Sequence, residues 1–139
     1  MSKGNYIYDA DNKFRAPGLA AVTTTSVVGV LALDKLVNVR PSLYRGSLGA
    51  ESYKVVITVT AIDRTTGDET YSFFVDTGTA GSPTVKVGEL VGITKVGQYV
   101  IELDAATIEA LDPANHAALE LNVAIAGTTP SITFAAWLL

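Results

Sequence analysis

Hydrophobic and polar residues alternate along several short segments of this 139-residue chain. The clearest is segment 53–62 (YKVVITVTAI), in which Tyr53, Val55, Ile57 and Val59 share one face. A period of two is typical of a β-strand, because successive side chains point to opposite faces of a sheet. The same period occurs in segments 69–76, 98–104, 118–126 and 131–139.

Other apolar segments lack this regularity but carry residues that favour strands. Segment 19–33 is apolar and rich in Thr, which predicts a long or bent strand with a bulge at Gly29. Segments 36–39 and 84–87 predict short strands, and 77–83 (TGTAGSP) predicts a loop. The chain contains 16 Val, 8 Ile and 16 Thr, which are β-branched and suit a pleated sheet. We therefore predict an all-β fold, a β-sandwich or jelly roll of about eight antiparallel strands.

Two strand predictions concern pairing. Segments 53–62 and 69–76 are separated by a polar stretch containing Gly67, a residue free to take positive φ, and we predict that they form a β-hairpin. Segment 131–139 is apolar on both faces. It should therefore lie inside a sheet or be covered by a partner, since an exposed apolar edge strand promotes aggregation.

One short helix interrupts the strands. Segment 104–111 (DAATIEAL) predicts a helix at about residues 105–111, with Asp104 as its N-cap. Pro113 follows, and the residue before a proline avoids the helical conformation. Residues 1–15 are polar with scattered aromatics and predict an N-terminal arm, leaving 16–139 as a single β-sandwich domain.

Composition narrows the classes of protein. The chain has 10 Lys+Arg, 14 Asp+Glu and no Cys, which excludes disulfides, Cys-bound zinc and a cysteine nucleophile. The net charge of −4 argues against nucleic-acid binding, which requires clustered basic residues. Uncharged segment 16–33 is broken by Pro, Gly and Thr, so neither a membrane span nor a signal peptide is predicted. We expect a protein made in a reducing cytoplasm.

No motif in the chain predicts catalysis. His116 lies between the helix and a strand, but no Gly-x-Ser-x-Gly elbow accompanies it. Glu102, Asp104 and Glu109 offer carboxylates such as glycosidases use, although spacing alone supports this weakly. We expect no enzymatic activity, while a glycan hydrolase using Glu102 and Asp104 stays open as a third hypothesis.

The chain also lacks the motifs of common cofactor and metal sites. Segment 9–12 (DADN) begins like a calcium loop, but Ala20 stands where the twelfth-position Glu would be needed. The glycines form no phosphate-binding motif. We therefore predict no cofactor and no metal.

Charged residues make up only 17% of the chain and hydrophobic residues 48%, which predicts that part of the surface is buried against other chains. Tyr and Arg are enriched at protein interfaces, whereas Trp137 is better placed in a core. The candidates for contacts with a partner are Tyr6, Tyr8, Phe14, Arg15, Arg40 and Arg45.

The whole pattern resembles the small cement (decoration) proteins of tailed bacteriophages. The resemblance is carried by segments 53–61 (YKVVITVTA), 67–71 (GDETY), 97–103 (GQYVIEL) and 126–134 (AGTTPSITF). It covers most of the chain but describes strands and turns, so no functional residue is transferred.

The resemblance implies a jelly-roll or β-sandwich protein of the virion without enzymatic activity. Such a protein binds the capsid exterior as a homodimer or homotrimer and bridges subunits of the major capsid protein. An arm bearing aromatic residues fits contact with a neighbouring subunit. The alternative is a head-fibre or receptor-binding module that reads carbohydrate on the same scaffold.

Overall fold

The computed structural model describes residues 8, 10, 12–32, 52–79, 82–111 and 118–139. Alternating β-branched and aromatic residues form the strands, because such side chains pack well on a pleated surface. The elements in chain order are β1 (Lys13–Arg15), β2 (Ser26–Ala32), β3 (Ser52–Asp63), β4 (Thr70–Thr79), β5 (Ser82–Leu90), β6 (Gly97–Asp104), α1 (Ala105–Leu111), β7 (Ala118–Ala126) and β8 (Ser131–Leu138).

The eight strands form two four-stranded antiparallel sheets. Sheet I has the order β1-β8-β3-β6, and sheet II has the order β2-β7-β4-β5. Strand β1 pairs with β8, β2 with β7, β3 with β6 and β4 with β5, as in one long ribbon rolled up on itself. This arrangement is a jelly-roll sandwich. The predicted all-β fold is confirmed, and α1 lies where the short helix was expected.

The core fills the space between the sheets. Val55, Ile57 and Val59 point into it from sheet I, as the alternation predicted. Phe73 of sheet II and Phe134 of sheet I meet edge to face, with ring centroids 4.8 Å apart. An aromatic pair of this geometry contributes about 0.5–1.5 kcal/mol beyond simple burial.

The predicted hairpin between segments 53–62 and 69–76 is wrong. Strand β3 lies in sheet I between β8 and β6, whereas β4 lies in sheet II between β7 and β5. The connection therefore crosses from one sheet to the other. The antiparallel neighbours in this region are β4 and β5, which pair up to Thr79 and Ser82. Segment 77–83, predicted as a loop, therefore belongs mostly to these two strands.

Two features hold the β3–β4 crossing in place. The buried Glu69 carboxylate accepts hydrogen bonds from the amides of Thr66 (3.1 Å) and Gly67 (2.8 Å). Gly67 takes a φ of 88°, as its predicted role in the turn requires. The Tyr71 hydroxyl donates to the Asp63 carbonyl (2.5 Å) and accepts from the Ser131 amide (2.9 Å), which joins β3, β4 and β8.

The strands in the N-terminal part of the described chain differ in their bounds from the predicted ones. Strand β1, at the end of the predicted arm, pairs with β8 in sheet I. The predicted strand 19–33 is divided, because Val22 bridges only to Ile132 and the regular strand β2 begins later. The bulge at Gly29 is confirmed by a shift in register. A Cβ at Gly29 would collide with the Phe14 carbonyl oxygen, so β1 and β2 approach closely there.

Strand β8 lies between β1 and β3, as expected for a strand that is apolar on both faces. Ile132, Phe134 and Leu138 point into the core. Trp137 and Ala135 belong to a second buried cluster on the other face of sheet I. The prediction that this strand lies inside a sheet is therefore confirmed.

Candidate protein-interaction surfaces

A residue from the predicted arm packs on the outer face of sheet I. Val56, Ala135 and Trp137 are buried there, and Tyr8 packs against them. The Tyr8 and Trp137 rings meet edge to face with centroids 5.5 Å apart. Further along the chain, the Leu138 amide donates to the Asn12 carbonyl (2.8 Å). Tyr8 and Asn12 therefore both contact sheet I.

The indole N–H of Trp137 is buried without an acceptor among the described residues. An unsatisfied buried donor costs about 1–3 kcal/mol. Trp137 was predicted to be a core residue, and it is buried as predicted, although it lies outside the space between the sheets.

Two other interface candidates also serve the domain itself. Phe14 is only 6% exposed and belongs to the main core, which leaves little of its side chain for contact with a partner. Arg15 is half-buried; its Nε donates to the Phe134 carbonyl (3.2 Å) and its guanidinium lies 5.1 Å from the centre of the Phe134 ring. Tyr6, Arg40 and Arg45 lie outside the described residues.

The outer face of sheet II presents two rows of side chains across its four strands. One row runs Val30–Glu120–Asp76–Lys86, and the neighbouring row runs Val27–Asn122–Phe74–Glu89. Val27 and Val30 are 55% and 45% exposed, which leaves an open apolar border along β2. We call these eight residues the sheet II face.

Carboxylates of like charge meet in the middle of the sheet II face. Asp76 and Glu120 are direct cross-strand partners, and side chains so placed have Cβ atoms about 4.5–5.5 Å apart. Burial and the negative charge of Glu120 raise the pKa of Asp76, and Lys86 opposes this. Asn122 donates a hydrogen bond to Asp76 (3.3 Å), while Lys86 also forms an exposed ion pair with Glu89 (3.2 Å).

The carboxylates at the end of the sandwich have a structural role instead. Burial acts to raise the pKa of Glu69, but hydrogen bonds to its carboxylate outweigh burial and lower the pKa overall. Asp68 accepts from the Thr128 hydroxyl (2.6 Å), which lowers its pKa in the same way. These groups join the β3–β4 and β7–β8 connections. Their stabilisation is present above the ordinary carboxyl pKa and is lost as the pH falls through the lowered values.

The residues considered for catalysis are not assembled into a site in the described part of the chain. Glu102 and Asp104 are exposed on the same strand, and Asp104 accepts a hydrogen bond from Thr107 (3.4 Å). His116 and the carboxylates of segment 9–12 lie outside the described residues, as does the side chain of Glu109. Among the described residues, no group of three His, Cys, Asp or Glu is arranged to hold a metal ion.

Comparisons of the chain with protein-family models, with curated proteins and with solved structures find no match. Within the described residues, no helix has the length and apolar character needed to span a membrane. The arguments for function therefore rest on the fold and on its surfaces.

The sheet II face was missed by the sequence analysis. Its two open valines lie within an apolar segment read as a whole strand, and its carboxylates are far apart along the chain. The bulge predicted at Gly29 could have revealed this face, because a bulge changes which positions of β2 point outward.

Proposed function

We propose that this protein is a structural, non-catalytic component of a phage virion that binds the outer surface of the capsid and bridges subunits of the major capsid protein. The observation that carries the proposal is the open apolar border of the sheet II face. Exposed apolar side chains grouped on one face are typical of protein-binding surfaces. The jelly-roll fold is in keeping with this role, because capsid and lectin domains share it.

The two outer faces of the sandwich differ in a way that favours sheet II as the binding face. On sheet I the outward residues Val56, Ala135 and Trp137 are buried, and Tyr8 packs on them. On sheet II, Val27 and Val30 keep about half of their surface in contact with solvent. Docking of a partner on sheet II would remove this surface from water. Repetition of the contact over a symmetric shell would add strength through effective concentration.

The proposal is tested with capsid shells assembled from the major capsid protein encoded in the same genome. Binding is measured by cosedimentation for the wild type and for V27T/V30T. Burying a whole Val side chain contributes about 1.5 kcal/mol, so two half-exposed valines contribute about 1.5 kcal/mol together. We therefore expect about a tenfold loss of affinity.

The matched control is V91T/V96T, since these valines are 68% and 58% exposed but lie in the β5–β6 connection. This variant should bind like the wild type. A wild-type protein that does not bind the shells would refute the proposed function. Equal binding by V27T/V30T and V91T/V96T would show that sheet II is not the binding face.

A further inference from the structure

The central carboxylates of the sheet II face oppose each other across a strand pair. Like charges directly opposite on a sheet are destabilising. Asp76 and Glu120 are held in this position because both project outward from adjacent central strands, β4 and β7. Lys86 lies beside Asp76 on β5, but its ammonium is paired with Glu89 and lies 5.4 Å from the centre of the Phe74 ring.

We infer that the sheet II face binds a protein surface that presents a cationic side chain between apolar ones, with the cation seated between Asp76 and Glu120. The inference rests on the proposed function and specifies the chemistry of the partner. A Lys or Arg seated there relieves the repulsion between the carboxylates. The partner's apolar side chains beside this cation cover Val30, which lies opposite Glu120, and Val27, which lies opposite Asn122 in the neighbouring row.

The same charges make a second copy of this chain a poor occupant. A two-fold interface places the same patch of both subunits face to face. Such pairing would bring Asp76 and Glu120 of one copy towards the same carboxylates of the other. Charge complementarity therefore favours a different, cationic surface over self-association through this face.

The test compares isosteric variants with the same change in charge. D76N/E120Q removes the charges of the two opposed carboxylates of the sheet II face, and E102Q/D104N removes two exposed carboxylates from β6 of sheet I. With the capsid shells, D76N/E120Q should bind about tenfold or more weakly and with less dependence on salt. E102Q/D104N should stay within about twofold of the wild type.

A second measurement does not depend on the shells. The ¹⁵N-labelled protein is titrated with the peptide Gly-Leu-Arg-Leu-Gly and with a control peptide that carries uncharged citrulline in place of arginine. The arginine peptide should shift the amide signals of Val27, Val30, Asp76 and Glu120 most. The citrulline peptide should not cause these shifts, and they should be lost in D76N/E120Q.

The outcomes separate the inference from the proposed function. The inference is overturned, and the proposed function left standing, if the shells bind D76N/E120Q and E102Q/D104N as tightly as the wild type. The same holds if both of these variants lose affinity for the shells to the same extent. Shells that do not bind the wild type refute the proposed function, and the peptide then decides the inference. Equal shifts with both peptides, or shifts away from the sheet II face, would overturn it.

Discussion

Replacing Tyr71 with Phe tests how the chain crosses between the sheets. The substitution keeps the buried ring and removes one hydroxyl. That hydroxyl donates to the Asp63 carbonyl and accepts from the Ser131 amide, so it connects the end of β3, the start of β4 and the start of β8. Phe leaves both backbone groups without this partner in a region where Tyr71 itself is fully buried.

The magnitude follows from the two lost hydrogen bonds. Each buried hydrogen bond contributes about 0.5–1.5 kcal/mol net, and an unsatisfied partner left behind costs up to about 3 kcal/mol. We expect Y71F to lower the free energy of unfolding by about 2–3 kcal/mol. Tyr99 supplies the control, because its hydroxyl donates to the exposed Lys95 carbonyl (2.6 Å). Water can replace that contact, so Y99F should cost less than about 1 kcal/mol.

The assay is unfolding in urea, followed by the fluorescence of Trp137, the single tryptophan of the chain. The midpoint should fall in Y71F while the slope with denaturant stays unchanged, since the variant alters stability and not the exposed area. If Y71F and Y99F lose the same small amount, the Tyr71 hydroxyl does not hold the crossing and the reasoning is refuted.

Two further predictions concern the outer faces. Burial and Glu120 raise the pKa of Asp76 above its ordinary value, and Lys86 opposes this, so stability is lost as the pH rises from about 4 through the raised value. D76N should therefore stabilise the protein by about 0.5 kcal/mol at pH 7 and make no difference to stability at pH 3. The measurement is thermal unfolding, and a destabilised D76N at pH 7 would contradict this expectation. Replacing Tyr8 with Ala should shift the fluorescence emission of Trp137 to the red and raise its quenching by acrylamide. Tyr8→Phe keeps the ring and should leave the emission as it is in the wild type. An unchanged spectrum in Y8A would contradict the contact between Tyr8 and Trp137.

Much of the fold could be predicted from alternation, because alternation decides which side chains point inward. The face of β3 that carries Tyr53, Val55, Ile57 and Val59 was identified in this way, and it is the face that points into the core. Alternation does not specify which strand lies beside which. The segment between β3 and β4 has turn residues that suit either a hairpin or a crossing. Long-range hydrogen bonds from Ser131 to Tyr71 and from Thr129 to Glu69 favour the crossing.

The candidate interface was less predictable because exposure depends on what covers a residue. Phe14 has the sequence context of an arm residue, yet it is buried in the core and its carbonyl lies against Gly29. Val56 and Val27 are both outward-facing valines of strands. Val56 is buried on sheet I, and Val27 stays open on sheet II.

The structure also changes what the low charge of the chain implies. With 17% charged residues, burial of part of the surface against other chains was expected. Strand β8 accounts for part of the apolar excess inside the molecule, because its apolar residues are buried on both faces. The proposed partner then needs to cover a smaller area, centred on two valines. Since so small an apolar area gives modest affinity, the opposed carboxylates become the feature that selects the partner.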